Sequence, residues 1–106
     1  MNLAEAIYAL TTEFPPEERY GLTAQIRRAA VSIPSNIAEG YGRDQTGSFV
    51  QFLRISQGSA RELETQLKLA VRLKLVVPGD ALPAQELCTS VCKMLRSFIR
   101  KLDQRA

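Results

Sequence analysis

The side chains that carry most enzyme chemistry are scarce in this sequence, since none of its 106 residues is histidine. Ser-His and Cys-His nucleophiles and histidine-ligated metals all need that side chain, so these mechanisms are excluded. Three carboxylates on predicted helices, Glu39, Glu62 and Glu64, lack the histidine partners of a di-metal bundle site. We therefore predict a protein that is not an enzyme and that has no metal and no cofactor.

The two cysteines and the glycine cluster are equally poor candidates for chemistry. Cys88 and Cys92 lie four residues apart on a predicted helix, where a mutual disulfide would be strained, so buried free thiols are expected. Glycines 40, 42 and 47 follow no strand and precede no Gly-Lys-Ser/Thr sequence, so they predict turns rather than a phosphate loop.

Cationic side chains are concentrated in the second half of the chain. Residues 1–42 carry three basic and five acidic groups, whereas residues 43–106 carry eleven and six. Basic residues at helical spacing along one flank could contact successive phosphates without reading bases, although a solvated basic face explains the same pattern. The candidate nucleic-acid-binding residues are Lys68, Arg72, Lys93, Arg96, Arg100, Lys101 and Arg105.

Helical periodicity supplies the elements that must position these groups. Apolar residues recur every three or four positions in four segments, and no segment alternates like a β-strand. We predict helices over about 3–13, 22–41 and 49–76, and a fourth with Pro83 in its first turn. Proline and glycine mark the turns at 15–16, 40–47 and 77–80. Short connections make neighbouring helices antiparallel, so the chain is predicted to form one all-α domain, an up-down-up-down four-helix bundle.

Pro34 lies inside the second predicted helix, where the apolar period continues on both sides of it. A proline there removes the donor to the carbonyl of Ala30, so we expect a kink or break. Ser32, Ser35 and Asn36 are short polar residues that can bond the freed backbone groups.

The third helix carries a wide apolar surface. A heptad stripe on it is expected to face the core, and a second stripe on the same helix is apolar only at its ends. The width of this surface indicates either contact with a neighbouring subunit or a broad internal core face. A single apolar stripe on the fourth helix is also expected to face the core. The third-helix stripe is Phe49, Leu53, Ser56, Ala60, Leu63, Leu67, Ala70 and Lys74; the fourth-helix stripe is Ala84, Leu87, Val91, Met94, Phe98 and Leu102.

The beginning of the chain lacks the basic and apolar regions of a secretion signal. No stretch approaches the roughly 20 apolar residues that span a bilayer. We expect a cytoplasmic protein that does not contact membranes.

Two segments carry a resemblance to a known family: 21–40, GLTAQIRRAAVSIPSNIAEG, and 52–67, FLRISQGSARELETQL. They resemble the four-helix-bundle proteins encoded in 23S ribosomal RNA intervening sequences, over roughly residues 14–100. The chain is also similar to the accessory variability determinant of diversity-generating retroelements. The resemblance implies a homopentamer with a basic surface that binds RNA or DNA.

The family's motif positions carry polar residues whose physical role has two interpretations. They fall on the functional motif of the family, and they are equally suited to an internal polar network around Pro34, which we favour. These residues are Arg27, Arg28, Ser35, Asn36, Glu39, Gly40, Ser59 and Glu62.

Two functional hypotheses follow. The first is a homo-oligomeric accessory protein that binds the RNA or DNA backbone. The alternative is a protein-interaction scaffold that docks a reverse transcriptase or an RNA-processing factor.

Overall fold

The computed structural model describes residues 2–105, apart from the side chain of Arg105. Helix α1 spans Asn2–Thr11, α2 Leu22–Tyr41, α3 Thr46–Arg72 and α4 Pro78–Arg105, and a 3₁₀ turn, Pro16–Glu18, lies between α1 and α2. No strand occurs among residues 2–105. The predicted all-α class with four helices is confirmed. None of the described helices combines the length and apolar character that crossing a membrane requires.

Aliphatic side chains from all four helices meet in one core. The α3 stripe is buried without interruption from Leu53 to Ala70, and it packs against Ile26 of α2 and Leu95 of α4. Burying each large aliphatic side chain stabilises the fold by about 1.5–3 kcal/mol. The middle of α3 is therefore the central element on which the other helices pack.

Small residues let α2 and α3 approach closely. Ser56, in the buried α3 stripe, donates a hydrogen bond of 2.9 Å to the carbonyl of Ile33. One end of this contact is at Gly40, where an added Cβ would lie 2.6 Å from the Cβ of Phe52. Position 40 thus has no room for any side chain.

Helix α2 continues through Pro34, from Leu22 to Tyr41. Two carbonyls beside the proline accept side-chain donors, because Asn36 Nδ2 bonds Ser32 O at 2.8 Å and Ser56 Oγ bonds Ile33 O. Ser35 is exposed and takes no part in these bonds. The bend expected at Pro34 stays a prediction.

The C-terminus of α3 differs from the prediction that the helix continues to about residue 76. The helix ends at Arg72, and Lys74 adopts a left-handed backbone conformation with φ of 62°. Leu75 N–H bonds Ala70 O and Lys74 N–H bonds Val71 O, each at 3.0 Å. This pattern is a Schellman motif, which satisfies the last carbonyls and reverses the chain. Lys74 therefore does not belong to the buried stripe.

The start of α4 also corrects the sequence prediction, because the segment 77–80 is not a separate turn. The carbonyl of Val77 accepts the N–H groups of Asp80 and Ala81, so the helix begins at Pro78. Proline suits this first position, since its missing N–H would have no partner there. Pro83 lies inside the helix rather than in its first turn.

The buried face of α4 is rotated from the predicted stripe. Ala84 is buried, but Leu87, Met94 and Phe98 are 37%, 53% and 38% exposed, and Cys88, Leu95 and Ile99 fill the core instead. Helix α1 contacts both α2 and α4 and leaves part of the surface between them open. The uncovered part is an apolar groove of about 530 Å³, here called the α2–α4 groove. Its lining includes Leu3, Ile33, Pro34, Ile37, Leu87, Val91 and Met94.

Candidate nucleic-acid interface

Basic side chains from two helices line a shallow groove, here called the α3–α4 groove. Leu95 and Ile99 of α4 face the core, so Arg96 and Arg100, which follow them, lie at the surface. Arg54 of α3 forms the opposite side. The groove has a volume of about 390 Å³. Its described lining is Arg54, Gln57, Arg96, Ile99, Arg100, Asp103 and Gln104.

One carboxylate reduces the positive charge of this groove. Asp103 pairs with Arg54 at 2.5 Å, and both side chains are about half exposed. The other ion pair among the described residues joins Arg43 to Glu39. Arg96 and Arg100 have no ion-pair partner in the described part of the chain, so their guanidinium groups are available to an external anion.

A further cation, Arg61, lies beside the groove and acts on the thiol of Cys92. Burial is the main cause that raises the pKa of this thiol, and the negative charge of Glu64 adds to it. Arg61 and Arg96 act in the opposite direction, which places both guanidinium groups close to Cys92. Arg61 of α3 therefore extends the basic surface towards the middle of the bundle.

The predicted basic residues are not gathered in one place. Lys93 and Lys101 are exposed on α4 with Arg96 and Arg100. Lys68 and Arg72 are exposed on the other half of α3, with Lys68 about 20 Å along the helix from Arg54. The side chain of Arg105 lies outside the described residues. The groove thus unites only part of the predicted set.

Sequence reasoning missed Arg54 and Arg61 as members of this surface. Both are single cations on a helix of mixed charge, so no cluster marks them. Their spacing with Gln57, at three and four residues, places all three on one face of α3. Only the packing of α3 against α4, as in the contact of Cys88 Sγ with Ala60 O at 3.2 Å, brings that face beside Arg96.

The predicted polar network is divided among separate locations. Asn36 Nδ2 bonds Ser32 Oγ at 2.9 Å, and Ser32 Oγ bonds Ser59 Oγ at 2.8 Å. Arg28 and Glu62 lie beside this chain, in a polar cleft between α2 and α3. Of the predicted residues, only Asn36 and Ser59 are joined through hydrogen bonds near Pro34.

Two other predicted members have partners elsewhere. Arg27 donates from Nε to Thr11 Oγ1 at 2.8 Å, and its guanidinium carbon lies 4.6 Å from the centre of the Tyr8 ring. It therefore connects α2 to α1. Glu39 pairs with Arg43 at the exposed end of α2.

The Cys88 thiol lies inside the bundle, and Cys92 is partly buried. Cys88 is fully buried, and burial is the main cause that raises its pKa to about 12. Such a thiol is protonated and unreactive at neutral pH. Among residues 2–105 there is no group of three metal-ligating side chains.

Comparisons with known proteins give a family. The model of the 23S rRNA-intervening sequence protein family matches residues 1–97. A solved structure from Bacteroides thetaiotaomicron, a protein of unknown function from the S23 ribosomal protein family, is similar, with 26% identity and a TM-score of 0.86. The match covers 93% of this chain and 89% of that one. Comparison with curated proteins finds no match. Because the family model covers nearly the whole sequence, the chain belongs to the 23S rRNA-intervening sequence protein family.

Proposed function

We propose that this protein is a non-enzymatic, homo-oligomeric accessory protein that binds the backbone of RNA or DNA through the α3–α4 groove. The observation that carries the proposal is the pair Arg96 and Arg100, which lie one helical turn apart without ion-pair partners among the described residues. Guanidinium groups bind phosphate oxygens through two parallel hydrogen bonds. Arginine therefore binds a phosphate backbone in a more defined geometry than the ammonium group of lysine does.

The shape of the groove favours backbone contact over base recognition. It is shallow and open. Its polar lining consists of guanidinium and amide groups and one carboxylate, that of Asp103, which is paired with Arg54. Contacts of this kind position a nucleic acid without reading its sequence. The proposed binding is therefore sensitive to charge and shape and largely indifferent to base sequence.

The bundle in this proposal is an antiparallel, up-down-up-down one. Ile33 of α2 contacts Ser56 of α3, and Gly40, which comes later in α2, contacts Phe52, which comes earlier in α3. This order of contacts supports opposite directions for the two helices. Ser56 and Asn36 beside Pro34 support a bend in α2. The likeness to the accessory determinant of retroelements, carried by the segments 21–40 and 52–67, belongs to the same proposal.

Self-assembly is the second part of the proposal. The exposed apolar residues Leu87, Met94 and Phe98 of α4 form a surface that a neighbouring copy would cover. Five copies are proposed because the resemblance to the intervening-sequence family implies that number.

The first test is a titration of structured RNA at increasing salt with charge-reversed variants. Arg96→Glu with Arg100→Glu should weaken binding at least about 100-fold, since each replaces a phosphate contact with repulsion. Lys68→Glu with Arg72→Glu makes the same change in net charge away from the groove and should have a much smaller effect. Equal losses in both double variants, or no binding at low salt, would refute the groove as the interface.

A second candidate function, a scaffold that docks an RNA-processing enzyme or a reverse transcriptase, is favoured by the α2–α4 groove. Its exposed Leu87 and Met94 offer an apolar surface to a partner helix. Purified candidate partners, mixed with the protein after nuclease treatment, separate the two functions. Binding that survives nuclease supports the scaffold, whereas loss on nuclease treatment supports direct nucleic-acid binding.

A further inference from the structure

A small cavity with a mixed polar and apolar lining lies at the opposite end of α2 from Gly40. It has a volume of about 260 Å³ and is bounded by the end of α1, the prolines that follow it and the first turns of α2. The polar part of its lining consists of Thr11, Thr12, Arg19, Thr23 and Arg27, with two cations and no carboxylate. Its composition therefore favours an anion.

Arg27 is held in position for such an anion. Thr11 Oγ1 donates to Ile7 O at 2.8 Å and accepts the Nε hydrogen of Arg27, also at 2.8 Å. The guanidinium group lies over the ring of Tyr8. Its two terminal nitrogens have no hydrogen-bond partner in the described part of the chain. Thr11 and Tyr8 thus fix the guanidinium group of a residue that lines the cavity, and its four terminal N–H groups form no hydrogen bond in the described part of the chain.

Thr23 provides an independent indication of a missing partner. The residue lines the cavity, is only 6% exposed, and its buried hydroxyl forms no hydrogen bond among the described residues. A buried hydroxyl without a partner is unfavourable. Threonine in a helix has two accessible χ1 rotamers, so a rotation can direct this hydroxyl to an occupant of the cavity.

The start of α2 adds backbone donors. Gly21 precedes the helix and offers no side-chain acceptor, and the first backbone bond of the helix runs from Gln25 N–H to Gly21 O. The N–H groups of Leu22, Thr23 and Ala24 have no such bond in the described part of the chain. Unpaired N–H groups and the dipole of a 20-residue helix attract anions to this end.

We propose that this cavity binds one phosphate group, either free phosphate or the terminal phosphate of an oligonucleotide. The donors are the terminal nitrogens of Arg27, the guanidinium group of Arg19, the Thr23 hydroxyl and the first N–H groups of α2. The site is separate from the α3–α4 groove and does not depend on it. One group opposes binding: a carboxylate oxygen of Glu18 lies 3.4 Å from the position that a Cβ of Gly21 would occupy.

The first test is a titration of the full-length protein with inorganic phosphate, followed by ¹H–¹⁵N NMR. The amides of Leu22, Thr23 and Ala24 should shift in a saturable way, because they border the proposed site. Thr23→Val, which removes the hydroxyl and keeps the shape, should weaken binding about tenfold while the remaining spectrum shows an intact fold. Absence of saturable shifts at these three amides would overturn the proposal.

Charge variants provide a matched comparison that does not depend on the structural role of Arg27. Arg19→Gln should weaken phosphate binding severalfold, whereas Arg28→Gln, which makes the same charge change outside the cavity, should leave it nearly unchanged. Glu18→Gln should strengthen binding severalfold, since it removes an anion near the helix start. Equal weakening by Arg19→Gln and Arg28→Gln would show unspecific charge attraction and refute the site.

The source of the phosphate is tested with two short RNA oligonucleotides that differ only at the 5′ end. Tighter binding of the 5′-phosphorylated oligonucleotide than of the 5′-hydroxyl one, abolished by Thr23→Val, assigns the site to a nucleic-acid end. Equal binding of both, together with saturable shifts by inorganic phosphate, assigns it to free phosphate. Because the Arg96→Glu, Arg100→Glu variant retains this cavity, it should still bind inorganic phosphate if the α3–α4 groove proposal fails.

Discussion

Asp103 controls how much positive charge the α3–α4 groove presents to a phosphate. Its carboxylate takes up Arg54, leaving Arg96 and Arg100 as the free cations of the groove. Exposed ion pairs contribute only about 0–1 kcal/mol to stability, so the pair limits charge more than it holds the fold.

Replacing Asp103 with Asn should therefore raise affinity for structured RNA severalfold. The slope of log affinity against log salt concentration should steepen by the amount that about one additional phosphate contact contributes. The free energy of unfolding should change by less than about 1 kcal/mol. Glu86→Gln, an exposed α4 residue outside the groove, is the matched control. Equal gains in affinity for both variants would show that only net charge matters.

Cys88 gives the protein a predictable response to alkaline pH. Burial raises the pKa of its thiol from 9.0 to about 12, so the unfolded chain loses this proton at lower pH than the folded chain does. The contribution of the buried Cys88 thiol to the free energy of unfolding is fully present below pH 9. It is lost as pH rises towards 12, at up to roughly 1.4 kcal/mol per pH unit. Urea unfolding from pH 8 to 11 measures this slope. Cys88→Ala should be less stable but should lack this part of the slope, and identical slopes would contradict the assignment.

Helical spacing predicted which residues are buried in the core, but it did not predict which residues they contact. The α3 positions from Leu53 to Ala70 follow the heptad rule and are buried. Arg27 was expected in a polar network around Pro34 because it falls on the family's motif positions, yet it bonds Thr11 and covers Tyr8. Helical spacing gives the face on which a side chain lies, whereas its partner depends on which helix packs there.

At the level of elements, helix ends were the least predictable feature. Leu22–Tyr41 agrees with the predicted second helix because Gly21 and Gly42 flank it. The end of α3 was missed because the left-handed residue of its Schellman motif is Lys74, where glycine is usual. Pro78 and Pro83 are both acceptable near a helix start, and the prediction that put Pro83 in the first turn was wrong because the helix begins at Pro78.

The positive φ of Lys74 leads to a stability prediction. Lys74→Gly should raise the free energy of unfolding by about 0.5–1 kcal/mol, since glycine adopts the left-handed region without steric cost. Lys68→Gly, in the exposed middle of α3, should lower it by about 1 kcal/mol. Chemical denaturation of both variants checks this pair of opposite signs. A loss of stability in Lys74→Gly would exclude strain at this residue.

At the scale of the whole molecule, the bundle measures 45 × 23 × 18 Å and is covered unevenly by its shortest helix. The sequence indicated a wide apolar surface on α3, and it predicted that Met94 and Phe98 of α4 face the core. Both are exposed instead, because helical spacing does not show which part of α4 the other helices cover.

Assembly through this surface predicts that Met94→Glu dissociates the oligomer into monomers of 11.8 kDa. A carboxylate in an apolar interface is unfavourable without a partner. Ile55→Glu on α3 is the control, since Ile55 is 51% exposed and Met94 is 53% exposed. Sedimentation velocity measures both. A monomeric wild-type protein would refute self-assembly, and dissociation by Ile55→Glu alone would move the interface to α3.

The contact at Gly40 also restricts which sequences can adopt this fold. The smallest possible substitution would place a carbon 2.6 Å from Phe52 Cβ, so every other amino acid forces α2 and α3 apart near the loop that joins them. The restriction falls on position 40, because the closest contact is with a Cβ that any residue except glycine would have at position 52. Glycine at position 40 is therefore required for the α2–α3 hairpin to close this tightly.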